Sequence, residues 1–250
     1  MAQTDSAGIP WEGRQLQPHP FSGDSGEADS VLTEAITTLA SQPLDATAHQ
    51  AVFQALQGTR LYAPIMPIAV TRHIGAQGLM QENSSDMVMV RLRSADGRET
   101  VPGFLDIPSL VNWSDAARPV PVESERLCAA TLEEGAEMLI LNPSQKASYL
   151  VRRPALHAFL RGEEWQPAWN SVEVARGIAD IAAGITWIDS VRVLPGSDAV
   201  HISGPEVMVR IFVRETPSDA DLQQFTQVIQ DNEVCRARVD SLRLSLVMTE

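Results

Sequence analysis

Between residues 86 and 105 apolar and polar positions alternate on either side of a tight-turn signal. Val88, Val90 and Leu92 fall on one face at period two, Met87, Met89, Arg91 and Arg93 on the other, and Asp96-Gly97 supplies the positive-φ positions of a short turn. The pattern predicts a β-hairpin around which the first half of the chain is organised. Upstream, Val31, Leu32, Ala35, Ile36 and Leu39 recur at helical spacing behind a cap at Asp29 or Ser30. Pro43 interrupts, and Asp45 opens a second helix with Ala48, Val52, Phe53 and Leu56 on its apolar side, closed at Gly58. Residues 60–70 read as extended, and Pro64 and Pro67, which cannot donate a ladder hydrogen bond, assign them to a sheet edge. Residues 71–85, with Gly75 and Gly78, read as a loop.

Beyond the hairpin, Asp106 caps a short helix through Ser109, Leu110 and Trp113, and residues 118–122 run extended because residues before proline avoid the helical region. A helix over residues 123–134 ends at Gly135, residues 137–143 form a central strand, and residues 149–151 a shorter one. Pro154 then opens a helix carrying Leu156, Phe159 and Leu160. Trp165, Pro167 and Trp169 mark a connection. A second unit follows: a helix over 171–183, one strand with Ile185, Trp187, Val191 and Val193, and another with Val207, Val209, Ile211 and Val213. A helix introduced by the capping-box spacing of residues 216–219 and a last strand with Leu242, Leu244, Leu246 and Met248 complete it. The elements alternate too irregularly for a doubly wound sheet. The expected class is α+β in two domains, an N-terminal mixed sheet with flanking helices over 30–165 and a smaller C-terminal αββαβ sandwich over 166–250. A flexible acidic tail over 1–29, with Trp11 and Phe21 as its aromatics, is expected ahead of them. The sheet edge of the second unit offers a surface for a homodimer.

Composition narrows the classes. At 250 residues with 44% hydrophobic and 20% charged residues the chain is globular, long enough to bury a core without disulfides. No apolar run reaches membrane-spanning length and the first residues lack an export signal, so the expected location is cytoplasmic, without membrane binding. A formal charge of −13 repels phosphate backbones and speaks against nucleic-acid binding. Positive charge comes from 18 Arg and the single Lys146, a bias read as genomic composition.

Candidate chemistry is sparse. His19, His49, His73, His157 and His201 are dispersed, with no H-x-x-x-H or H-E-x-x-H, so no metal is expected. Cys128 shares a helical face with Leu132, which suits core packing better than nucleophilic attack. There is no G-x-S-x-G, Walker loop or G-x-G-x-x-G, and no cofactor is expected. The acid pairs Glu133-Glu134, Glu163-Glu164 and Asp219/Asp221 sit in helix ends and turns. One constellation stands out: Arg152-Arg153 before the Pro154 helix start, where two guanidinium forks and free amides favour an anion. Pairing of these arginines with Glu123 or Glu125 is the competing reading. Trp113, with Trp165 and Trp169, divides between core and interface.

The order of several short signatures resembles a known family. Residues 56–64 (LQGTRLYAP), 85–90 (SDMVMV), 118–122 (RPVPV), 140–143 (ILNP) and 151–156 (VRRPAL) resemble the N-terminal domain of the SseB family in its actinobacterial form. The likeness runs over about 52–169, and residues 170–250 resemble the C-terminal extension of the same proteins. The family is named for a serine-sensitivity phenotype and has no established catalytic residues, so the resemblance carries none onto this chain. It also shares its name with a type III secretion translocon component, although long membrane-active helices are missing here. The expectation is a non-enzymatic cytoplasmic protein-protein interaction module. The alternatives are a domain or enzyme gripping an anionic metabolite or amino acid with Arg152 and Arg153, and a secretion-associated component.

Overall fold

The computed structural model describes Phe21 and residues 23–67, 87–94 and 96–249. The loop expected over 71–85, Trp11, His19 and most of the expected tail lie outside the described residues. The class is α+β. Helices α1 (Ser30–Ser41) and α2 (Ala46–Ala55) form the expected hairpin, with Asp29 accepting from the Leu32 amide and Asp45 from that of Thr47. Their apolar stripes, Leu32, Ile36 and Leu39 on one and Val52 and Phe53 on the other, are buried together.

Strand β1 (Arg60–Pro67) corrects the edge assignment. It lies between β2 (Met87–Met89) and β5 (Arg118–Glu123), antiparallel to both. The prolines fit because of register. Tyr62 exchanges both backbone bonds with Phe104, and Pro64 turns its carbonyl to the Val90 amide, so neither uses its backbone groups toward β5. Their β5 partners Pro121 and Pro119 therefore fall in non-hydrogen-bonded pairs, with the missing N–H directed outward.

The hairpin is divided. Strands β3 (Leu92–Arg93) and β4 (Glu99–Gly103) pair around a turn with Gly97 at φ 87°, as expected, but Met87–Met89 turn away to pair with β1. One expected strand thus serves two sheets. The second has the order β3-β4-β6-β7, with β6 (Met138–Leu141) parallel to β4 and antiparallel to β7 (Tyr149–Val151). The Tyr62–Phe104 bridge joins the two sheets. Helices α4 (Ser124–Glu133) and α5 (Arg153–Arg161) add Leu127, Cys128, Leu156 and Phe159 to the core, while α3 (Ile107–Trp113) covers a smaller cluster around Phe104.

Part of the segment read as a tail is fixed. The Asp24 carboxylate accepts from the Tyr62 hydroxyl and pairs with Arg60 at 3.0 Å, and Ile107 donates to the Gly26 carbonyl. Burial raises the Tyr62 phenol to about 12, and its bond to Asp24 adds to the rise.

The C-terminal part has its own buried cluster. A 3-10 turn (Ala168–Asn170) leads into α6 (Val172–Ala183), followed by β8 (Ser190–Pro195), β9 (Val207–Val213), α7 (Asp219–Asp231), α8 (Glu233–Arg238) and β10 (Leu242–Met248). Sheet order is β10-β9-β8, antiparallel between β8 and β9 and parallel between β9 and β10. Ile185 and Trp187, expected in the first strand, precede it and pack against the cluster. The capping box sits two residues later than expected, closed between Ser218 and Asp221, and α8 is additional, capped by Asn232. Among the described residues no helix is long and apolar enough to cross a membrane.

Candidate functional site

Arg152 is one of the residues through which the two parts of the chain meet. It follows β7 as the N-cap of α5 and is 4% exposed. Nη1 donates to Asp240 Oδ2 (2.9 Å) and Ser241 Oγ (3.4 Å), and Nη2 to the carbonyls of Val200 (2.8 Å) and Gly204 (3.0 Å). The acid is thus Asp240, not Glu123 or Glu125. Glu125 is engaged elsewhere, accepting from the Gly58 amide and the Ser124 hydroxyl. The Asp240 side chain is fully buried, and its other oxygen accepts from Arg98 of the hairpin turn at 2.8 Å. All four hydrogens on the terminal nitrogens of Arg152 have protein acceptors, which leaves only Nε. The residue clamps the two parts.

Glu206 braces Asp240 from within the C-terminal part. Its carboxylate accepts from the amides of Ala168 (2.9 Å) and Asp240 (2.8 Å), and burial raises its pKa against the opposing pull of Arg152 and these two N–H groups. Beside it, His49 bonds the Pro43 carbonyl through Nε2 (3.0 Å) and packs edge-on to Trp169. Burial lowers its pKa to about 4, so it is neutral at physiological pH.

Arg153 separates from its neighbour. Half-buried at the start of α5, it lines a cavity of about 270 Å³ with Gln230, Cys235 and Arg236 and makes no ion pair among the described residues. Trp113 lies elsewhere again, its ring 5.4 Å from that of Phe104 in the small cluster under α3. The three candidates thus occupy three separate settings. Trp165 stacks on Phe53, fastening the connection to α2. Burial pushes the Cys128 thiol up to about 12, and it packs as a small apolar side chain. Among the described residues no three His, Cys, Asp or Glu side chains gather as a metal site.

A second arrangement was not singled out in the sequence. Helices α6, α7 and α8 bury the face of the C-terminal sheet that carries Val207, Val209, Ile211 and Val213. The register sets the other face: Ser190, Arg192 and Leu194 on β8, Met208, Arg210 and Phe212 on β9, and Arg243, Ser245 and Val247 on β10. Met208, Arg210 and Phe212 are only half-buried, and Arg192 and Arg243 are exposed. Arg192 stands directly opposite Arg210, and its guanidinium lies 5.5 Å from the centre of the Phe212 ring. None of the nine positions is Asp or Glu. None of the three arginines has an ion pair among the described residues, and Arg210 Nε is buried without a hydrogen-bond partner. Alternation implied that Arg192 and Arg210 point outward, but their juxtaposition depends on a register that sequence does not carry.

Residues 32–158, about half of the chain, match the family model described as the SseB protein N-terminal domain. No curated protein and no solved structure matches the chain.

Proposed function

The chain belongs to the SseB family, and from that premise we propose that it is a non-enzymatic cytoplasmic interaction module. Its open C-terminal sheet face receives an acidic, partly apolar surface of a partner protein. The observation that carries this is the Arg192/Arg210 pair with Arg243 nearby, in a chain whose formal charge is −13. Like charges directly opposite across a sheet are mutually destabilising by some tenths of a kcal/mol to about 1 kcal/mol. Carboxylates arriving from a partner convert that repulsion into charge-assisted hydrogen bonds, while Leu194, Phe212 and Val247 supply apolar contact. Electrostatic complementarity also speeds encounter and rejects partners of the wrong sign.

The reading is tested by affinity recovery from lysate of the source organism, comparing the full chain with Arg192→Glu/Arg210→Glu. One stoichiometric partner is expected with the unaltered chain, with at least a tenfold loss on charge reversal and a weaker yield at high salt. Equal recovery by the variant contradicts it.

A further inference from the structure

Strands β3, β4, β6 and β7 have two faces. One, with Val101, Leu139 and Val151, is packed in the core. The register places Leu92, Thr100 and Met138, and likewise Ile140 and Leu150, together on the other. This second face floors a cleft of about 620 Å³, walled by Ile202 and Pro205 and closed by the start of β10. That volume falls within the roughly 300–1,000 Å³ of small-molecule sites, and an apolar floor with few polar groups is their usual character.

The charged lining is one-sided, with Arg93, Arg98 and Arg243 against Asp96. Arg98 is taken up by Asp96 and Asp240. Arg243 is exposed and has no ion pair among the described residues. The hydroxyls of Ser94, Thr100, Ser203 and Ser241 line the cleft, but no histidine or cysteine does, so the lining suits holding a molecule rather than transforming it.

We propose that this cleft binds a free organic acid with a single carboxylate and an apolar body of medium size. The body covers Ile140 and Leu150, and the carboxylate faces Arg243. A guanidinium fork matches a carboxylate in shape and charge. The site is independent of the partner surface in what it requires of Ile140 and Ser203, neither of which lies on the open C-terminal sheet face.

The test uses the full chain, with octanoate and 1-octanol as probes, read by titration calorimetry and thermal denaturation. Octanoate is expected to bind saturably, one per chain, and to raise the Tm by mass action; 1-octanol is expected to bind at least tenfold more weakly. Arg243→Ala is expected to reduce octanoate to the level of 1-octanol. Ser203→Trp changes an exposed wall residue; it is expected to abolish both without moving the Tm of the unliganded chain. The proposal is overturned by the absence of saturable octanoate binding, by equal affinity for the two probes in the unaltered chain, by undiminished octanoate binding to Arg243→Ala, or by undiminished binding to Ser203→Trp.

Discussion

Arg152 and Asp240 are 88 positions apart, their side chains are both buried, and each is satisfied by more than the other. Removing one partner of such a pair leaves an unpaired buried charge, at about 3–5 kcal/mol, whereas replacing both with apolar residues often restores stability. Arg152→Ala and Asp240→Ala are each expected to lose that much in urea unfolding, and Arg152→Met/Asp240→Leu to recover most of it. A double variant as unstable as the singles together would show that the two side chains act independently, with no coupling between them. Two other buried groups give opposite responses to pH. His49 has a pKa of about 4 in the fold against 6.5 unfolded, so its contribution is present above 6.5 and is lost as pH falls toward 4. Glu206 is raised above 4.5; the folded state holds its proton longer than the unfolded one, and stability declines as pH rises from 4.5 until the group ionises. Chemical unfolding from pH 4 to 8 is expected to show the first slope reduced in His49→Gln and the second reduced in Glu206→Gln. Unchanged slopes would reassign the pH dependence to exposed groups.

Local signals made much of the element layout legible. Asp29, Asp45 and Asp106 cap the helices they were expected to cap, and Val207, Val209, Ile211 and Val213 line the buried face that their alternation implied. What failed was nonlocal. The pleat of residues 87–93 reads as one strand, and nothing local says that its first half pairs with β1. Pro64 suggested an edge, yet it sits in a central strand because the carbonyl alone is needed at that position. The Arg152–Asp240 contact was equally hidden: a buried ion pair between distant segments leaves no periodic trace, and nearby Glu125 was the easier guess. Close approach of backbone is another such property. A Cβ on Gly196 would stand 1.8 Å from the Pro205 carbonyl oxygen, next to the bond from the Gly196 amide to the Glu206 carbonyl. Gly196→Ala therefore displaces the segment carrying Glu206 and is expected to cost about 1–3 kcal/mol in thermal or urea unfolding, the usual range for overpacking. A loss no larger than that of an exposed helix substitution would mean that this loop relaxes freely.

At the scale of the molecule, charge and architecture divide the work. The chain is strongly acidic, yet its bare C-terminal sheet face and the lining of the neighbouring cleft are both basic and apolar, and Arg243 belongs to each. Arg98 and Arg152, both bound to Asp240, fasten the N-terminal part of the chain to the C-terminal part and so fix the position of the open face. The central claim is that this face is where a partner sits. The most direct measurement places a photo-crosslinking amino acid at Ser245, on the edge strand β10 of that face and opposite Arg210, and in a second protein at Gln223 on α7. Both are then irradiated in lysate of the source organism. The account predicts one discrete crosslinked product from position 245 and none from position 223. No product from position 245, or the same products from both positions, would contradict it.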